Sequence, residues 1–287
     1  MSKAEFYIGW EERMPSRHKR FFSVLIPLLL MAIPILVFGL VVLQEPFNDH
    51  QFEFGTLTEL SGIYHQEPFP MLEVSSGVPD GFSRQVLLVG FGKSGATASI
   101  DAIEQTHGAL INKQVTFKGT LLYGDGITLF ELTDQEDSFV AVSEPDSANK
   151  LNPSVPEEKM LIGELIDPKC YFGVMKPGLG KAHRSCAVRC VSGGIPPVLK
   201  VDDPYSESDR YVIVKGLNGK KINADLLPYI GDHIMVNGSI YTQNGWDVIH
   251  IDTSLITRLY KKRRPGFNAD VYYASSDDMC VYPPLPK

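Results

Sequence analysis

Residues 170–197 read CYFGVMKPGLGKAHRSCAVRCVSGGIPP, a stretch that holds three of the chain's four cysteines and one histidine. Thiolate sulfur and imidazole nitrogen are the donors that zinc and copper select, and clustered thiols also make disulfides and thiol redox couples. The spacing matters as much as the residue types. A short helix is expected from about His183 to Ser192, stopped by Gly193-Gly194 and then Pro196-Pro197. On it His183, Cys186 and Cys190 stand at i, i+3 and i+7. At roughly 100° per residue they fall within about 60° of arc, so all three project from one face.

Two chemistries fit these residues. In the first, Cys170 folds back over the helix, and Cys170, His183, Cys186 and Cys190 together hold a metal ion. Three soft sulfurs and an imidazole suit zinc in a closed site, or copper in a site that cycles. Met175, in the intervening loop, is a soft sulfur whose usual role is packing. In the second chemistry the thiols are oxidised and brace the loop. A Cys186–Cys190 bridge along one helix face has poor geometry. Cys170 pairs more naturally with one of them, leaving Cys280 from the C-terminal tail for the other. The histidine favours the metal, because a disulfide has no need of imidazole beside it. No catalytic residue is assigned, since G-x-S-x-G, H-E-x-x-H, C-x-x-C-H and the paired Cys-x-His of a Rieske centre are all absent.

The elements that must position this cluster are strands. MLIGELI (160–166) leads directly through Asp167-Pro168 into Cys170, so the cluster occupies the loop after a first strand. Two segments share a further pattern: FKGTLLYGDGITLFEL (117–132) and VNGSIYTQNGWDVIHI (236–251) align without gaps. Each reads apolar-x-Gly-Ser/Thr-apolar, then Asp125-Gly126 or Asn244-Gly245, then an alternating strand; such turns mark tight hairpins. Strand and helix candidates precede each hairpin: 85–89 and 96–106 in the first copy, 211–215 and 224–229 in the second. Three strands, a helix and a closing hairpin is the order of a five-stranded OB-type barrel. The fold class expected is mainly β: one N-terminal transmembrane helix followed by two tandem OB-like small β-barrels with short helices.

Residues 86–95, VLLVGFGKSG, carry Gly90-x-Gly92-x-x-Gly95 between a strand and a helix, the local setting of a dinucleotide fingerprint. The acidic residue that would bind a ribose about 20 residues later is missing, and the chain near 115 reads VTFKGT. The glycines are therefore read as a strand-to-helix turn, and no nicotinamide cofactor is expected.

Phe21 to Leu43 is a run of 23 residues without a charge. As a helix it is about 34 Å long, enough to cross a hydrocarbon core of about 30 Å. Lys3, Arg13, Arg17, Lys19 and Arg20 precede it, and no Lys or Arg follows until Arg84. That asymmetry predicts a cytoplasmic N-terminus, an uncleaved anchor and the bulk of the chain outside. Pro27 and Pro34, seven residues apart, share nearly one face and favour a kink or packing against another membrane protein. The net charge of −7 argues against nucleic acid as a partner. The one basic run, Lys261-Lys262-Arg263-Arg264, reads as a solvated segment. The expected organisation is a cytoplasmic N-terminus at 1–20, the membrane helix at 21–43, a first barrel at 50–142 and a linker at 143–159. A second barrel with the Cys/His insertion follows at 160–257, and a tail at 258–287.

The 160–200 segment resembles a family of bacterial exported or membrane-anchored proteins. They share Cys followed by an aromatic-Gly loop, then H-x-x-C-A-x-x-C and G-x-P-P; the resemblance implies a bacterial inner-membrane location and supplies no activity. Cys186-x-x-x-Cys190 with a nearby His is also similar to copper-delivery proteins of the Sco type and to the dicopper centre of cytochrome oxidase. The strand orders of those folds are absent, and His183 precedes the cysteines. The anchor-plus-barrel plan is similar to the haem chaperone of cytochrome c maturation, but its H-x-x-x-Y element is not found. The function these features imply is an extracytoplasmic accessory or electron-transfer protein, part of a membrane complex, with a copper, zinc or thiol-redox site. The alternative is a purely structural subunit whose barrels are braced by disulfides.

Overall fold

The computed structural model describes residues 14–43, 48–145, 152–202, 209–262 and 271–273. The chain divides into two compact units, Met1–Phe47 and Asn48–Lys287.

The first unit is built on helix α1 (Ser16–Leu43), 28 residues that run unbroken through Pro27 and Pro34. Most of its leucines, isoleucines, valines and phenylalanines are exposed. At 1.5 Å per residue it is about 42 Å long, and it is long and apolar enough to cross a membrane.

The second unit contains two closed five-stranded barrels of one topology. In the first, β1 (Gln51–Phe52) is a short entry strand. The barrel strands are β2 (Thr58–His65), β3 (Met71–Val74), β4 (Gln85–Val89), β5 (Gln114–Gly124) and β6 (Ile127–Leu132). They close in the order β2-β3-β4-β6-β5-β2, with β4 and β6 parallel and every other pair antiparallel. Helix α2 (Thr97–His107) joins β4 to β5, and β7 (Phe139–Ser143) pairs with β5. The second barrel repeats the plan. Its strands are β8 (Glu157–Ile166), β9 (Val198–Val201), β10 (Arg210–Gly216), β11 (His233–Gln243) and β12 (Trp246–Ile251). They close as β8-β9-β10-β12-β11-β8, again with one parallel pair, β10 with β12. Helix α3 (Gly180–Ser192) fills the β8–β9 connection, and α4 (Asn223–Leu226) joins β10 to β11. This is the OB-type order that the repeated pattern predicts. The second barrel's first strand starts at Glu157, inside the stretch read as linker. The sheet also continues past 257 through β13 (Thr257–Lys262), which pairs with β11 and with β14 (Val271–Tyr273). Arg263, Arg264 and Cys280 lie outside the described residues.

The two hairpins turn through Asp125-Gly126, with φ of 48° and 77°, and Asn244-Gly245, with φ of 47° and 76°. Two successive positive φ values are the type I′ signature, which Asp-Gly and Asn-Gly reach with little strain. The shared Gly-Ser/Thr also has a physical cause. A Cβ at Gly119 would run into the carbonyl oxygen of Glu131, and one at Gly238 into that of His250. The fourth strand coils tightly against the fifth at the same place in both barrels, and only glycine fits there.

Apolar runs without alternation, such as QVLLV in β4, are explained by three cores rather than two. In β4, Val86 and Leu88 point into the first barrel's own core, while Leu87 and Val89 join a core between the barrels. In β10, Val212 and Val214 fill the second barrel, while Tyr211 and Ile213 face the shared core. Strands buried on both faces lose the period-2 signal. The hairpins interlock reciprocally as well. Asn244 at the second tip donates its amide to Glu67 O (2.8 Å), and Trp246 donates its indole N–H to Gln85 O (3.1 Å). Asp125 at the first tip accepts the hydroxyl proton of Tyr211.

Candidate functional site

The site lies where the insertion of the second barrel meets the glycine turn of the first. Strand β8 ends at Ile166, and the fully buried Asp167 turns the chain. Its Oδ1 accepts from Lys169 N (3.0 Å) and Cys170 N (3.4 Å), capping a π-helical turn over Cys170–Val174. Helix α3 begins with the Gly180 N–H donating to Glu164, a buried carboxylate suited to a helix N-terminus. It ends at Gly193-Gly194, where Gly193 N bonds Arg189 O (3.0 Å) and Ile195 N bonds Cys190 O (3.1 Å). One flank of α3, with Ala187 and Val191, packs into the second barrel; the flank with Cys186 and Cys190 faces the shared core. The helix starts three residues before the expected position, and the His-Cys-Cys face is formed.

Cys170, His183 and Cys186 come together, with their donor atoms all within 4.8 Å of one another. Cys190 falls in a neighbouring group, with Asp167 and Cys170, under the same limit. Cys170 therefore belongs to both groups. The three described cysteines are free thiols. Cys170, His183, Cys190 and Asp167 are buried, while Cys186 is half-buried. Two polar atoms in this buried cluster have no hydrogen-bond partner: His183 Nε2 and Asp167 Oδ2. Orphaned polar atoms are rare inside proteins and need a reason, and donor atoms waiting for a cation supply one. This Cys/His cluster could hold a metal ion.

The electrostatics agree with that reading. Burial, opposed by the Asp167 charge, pushes the His183 imidazole below its usual range, so its neutral, ligating form prevails near neutral pH. Hydrogen bonding to Cys190, burial and the adjacent Asp167 push the Cys170 thiol far above its usual range. Such a thiol gives up its proton only to a strong local cation, as a metal ion provides. On the outer side, Lys93 Nζ stands 3.2 Å from Cys186 Sγ, and that sulfur raises the ammonium's pKa.

Lys93 is delivered by the glycine turn. Gly95 N donates to Gly193 O (2.9 Å), and a Cβ on Gly95 or Gly193 would collide with the opposite barrel's backbone. The G-x-G-x-x-G stretch thus serves close backbone approach between two barrels. The turn also wraps a buried ammonium: Lys169 Nζ donates to Gly90 O (2.8 Å), Gly92 O (2.6 Å) and Glu131 Oε1 (2.8 Å). Beside the thiols lies a cavity of about 580 Å3, lined on its apolar side by Phe52, Phe54, Phe91, Val174 and Met175. Cys170, Cys186 and Cys190 also line it, which gives the sulfurs a route to solvent.

A second network fixes the backbone beside Cys170. The buried His50 directs Nδ1–H at Tyr171 O (2.8 Å) and holds Nε2 2.8 Å from Asp125 Oδ2. The Nδ1 side meets a carbonyl and the Nε2 side faces a carboxylate, surroundings that favour imidazolium. Burial works against that charge, but Asp125 and the Tyr171 carbonyl win, and the His50 pKa is raised. His50, Asp167 and Lys93 carry no spacing signal in the sequence. The only local hint is the Asp-Pro step directly before Lys169-Cys170.

No family model matches the chain, and no curated protein matches it. A solved structure described as "Structural mimicry for functional antagonism" aligns with 73% of this chain and 93% of its own, at 12% identity and a TM-score of 0.16. A superposition that loose carries no argument.

Proposed function

We propose that this chain is a membrane-anchored protein of the bacterial inner membrane that holds copper on Cys170, His183 and Cys186. Its barrels would lie on the periplasmic side, and it would act as an accessory or electron-transfer component of a membrane complex. The observation that carries the metal reading is the buried His183 Nε2, without a partner, on a helix face whose sulfur neighbour Cys186 meets Cys170. Two soft sulfurs and one nitrogen match the low coordination number and ligand softness of Cu(I) better than the four-ligand closure of structural zinc. The anchor reading is supported by α1 and by the basic residues before it.

The test is a Cu(I) titration of the reduced full-length protein in detergent, with metal analysis of the purified product. The proposal expects tight binding that His183→Ala or Cys186→Ser weakens by more than about 100-fold, beyond the usual effect of losing an outer-shell partner. Absence of bound copper, with every thiol open to alkylation, contradicts it. The alternative structural-subunit reading has its own support, since Cys170 and Cys190 are buried free thiols whose sulfurs lie within 4.8 Å of each other. A native protein with no metal and with those two thiols oxidised would establish that reading instead.

A further inference from the structure

We infer that Cys170 bridges two metal ions, the second held by Asp167 and Cys190; this rests on the metal reading above. The two donor groups, Cys170 with His183 and Cys186, and Cys170 with Asp167 and Cys190, meet only at the Cys170 sulfur. A thiolate sulfur has lone pairs enough to bind two cations at once. A single ion does not satisfy all five donors, because Cys190 does not join the His183 group within the same 4.8 Å limit.

Asp167 is the independent observation. It is fully buried, and its Oδ1 is tied down by two backbone N–H groups, which aims the remaining oxygen. That oxygen, Oδ2, has no nitrogen or oxygen partner among the described residues, and the one side chain the carboxylate meets is the Cys170 thiol, itself a donor of the proposed site. A buried carboxylate without a counterion is costly. The nearby ammonium groups are committed elsewhere: Lys169 to Glu131 and the glycine-turn carbonyls, Lys93 to Cys186. No ion pair neutralises Asp167 among the described residues. A cation lying between Asp167, Cys190 and Cys170 answers all of this at once. The ligand class is a divalent or monovalent first-row transition metal ion with affinity for mixed sulfur and oxygen donors.

Cobalt(II) is the probe that reads a bridge directly, because two high-spin ions sharing one sulfur couple their spins. The reduced full-length protein in detergent is titrated with Co(II), following thiolate-to-cobalt absorption and the electron paramagnetic resonance signal. The inference expects two cobalt ions per chain and a resonance signal that rises with the first and falls as the second enters. Asp167→Asn, which keeps the capping oxygen, and Cys190→Ser should each bind one cobalt ion whose signal persists. One cobalt ion in the unaltered protein, unaffected by Asp167→Asn, overturns the bridge and leaves the metal reading intact. Two ions with undiminished signal overturn the shared sulfur. No cobalt bound overturns both.

Discussion

Lys93 and His50 stand beside the sulfur cluster, and each leaves a measurable trace. The Lys93 ammonium, 3.2 Å from Cys186 Sγ, places a positive charge beside the sulfur that an alkylating reagent must reach. Lys93→Ala should therefore slow alkylation of Cys186 at neutral pH several-fold, measured by mass spectrometry in metal-free protein; an unchanged rate would show the contact is idle. His50 gives a pH signature of opposite character to a buried neutral histidine. Its folded pKa is raised from the ordinary 6.5, so its stabilising contribution is complete below that value and is lost as pH climbs through the raised pKa. His50→Gln should lower the melting temperature most at pH below 6.5, with the gap from the unaltered protein narrowing toward alkaline pH. At this scale the sequence was half legible. The i, i+3, i+7 spacing on one predicted helix gave the His183–Cys186–Cys190 face without coordinates. Asp167, Lys93 and His50 depend on chain segments brought together over long separations, and local spacing has nothing to say about them.

Two elements hold the site in register, the glycine turn at 90–95 and the end of α3. Their backbones touch through the Gly95 N–H to Gly193 O bond, with no room for a side chain on either residue. Gly95→Ala should destabilise the protein by about 1–3 kcal/mol, the usual cost of overpacking, and should raise the exposure of Cys190 to alkylation. A denaturant melt without change would disprove the close approach. Lys169 fastens the same turn from below through Glu131, with both side chains largely out of water. Removing one member of a buried pair strands the other, so Lys169→Met should cost about 3–5 kcal/mol in the same melt. The strands at 85–89, 160–166 and 211–215, the helices and both hairpins were readable from their patterns and turn residues, whereas β2, β3, β7, β9 and β13 were not. The purpose of Gly90-x-Gly92-x-x-Gly95 was not, because a nucleotide-binding loop and a backbone docking surface ask for glycine for the same reason, the absence of a Cβ.

As a whole the second unit is a fused pair of barrels. Leu87, Val89, Leu122 and Leu129 of the first barrel share one core with Ile213, Trp246 and Val248 of the second. Each hairpin tip reaches the other barrel, as self-complementary surfaces do in two-fold oligomers. A separated second barrel would expose that apolar face and leave Lys169 and Lys215 without their acceptors in the first. Helix α1 buries none of its residues. Asn48–Lys287 is a compact unit by itself, so a chain without residues 1–43 should keep its stability and metal capacity, whereas expressing 152–262 alone should give an aggregating chain. The tandem repeat of the pattern predicted the two barrels, but a repeat shows only that a fold occurs twice. That the copies fuse was visible in hindsight in the doubly apolar strands QVLLV and RYVIV. The claim on which the account turns, that a metal ion sits on Cys170, His183 and Cys186, is tested most directly by X-ray absorption at the copper edge of the Cu(I)-loaded full-length protein. The account predicts a first shell of two sulfurs and one nitrogen, and loss of that nitrogen in His183→Ala. A shell without sulfur, or one that His183→Ala leaves untouched, would contradict it.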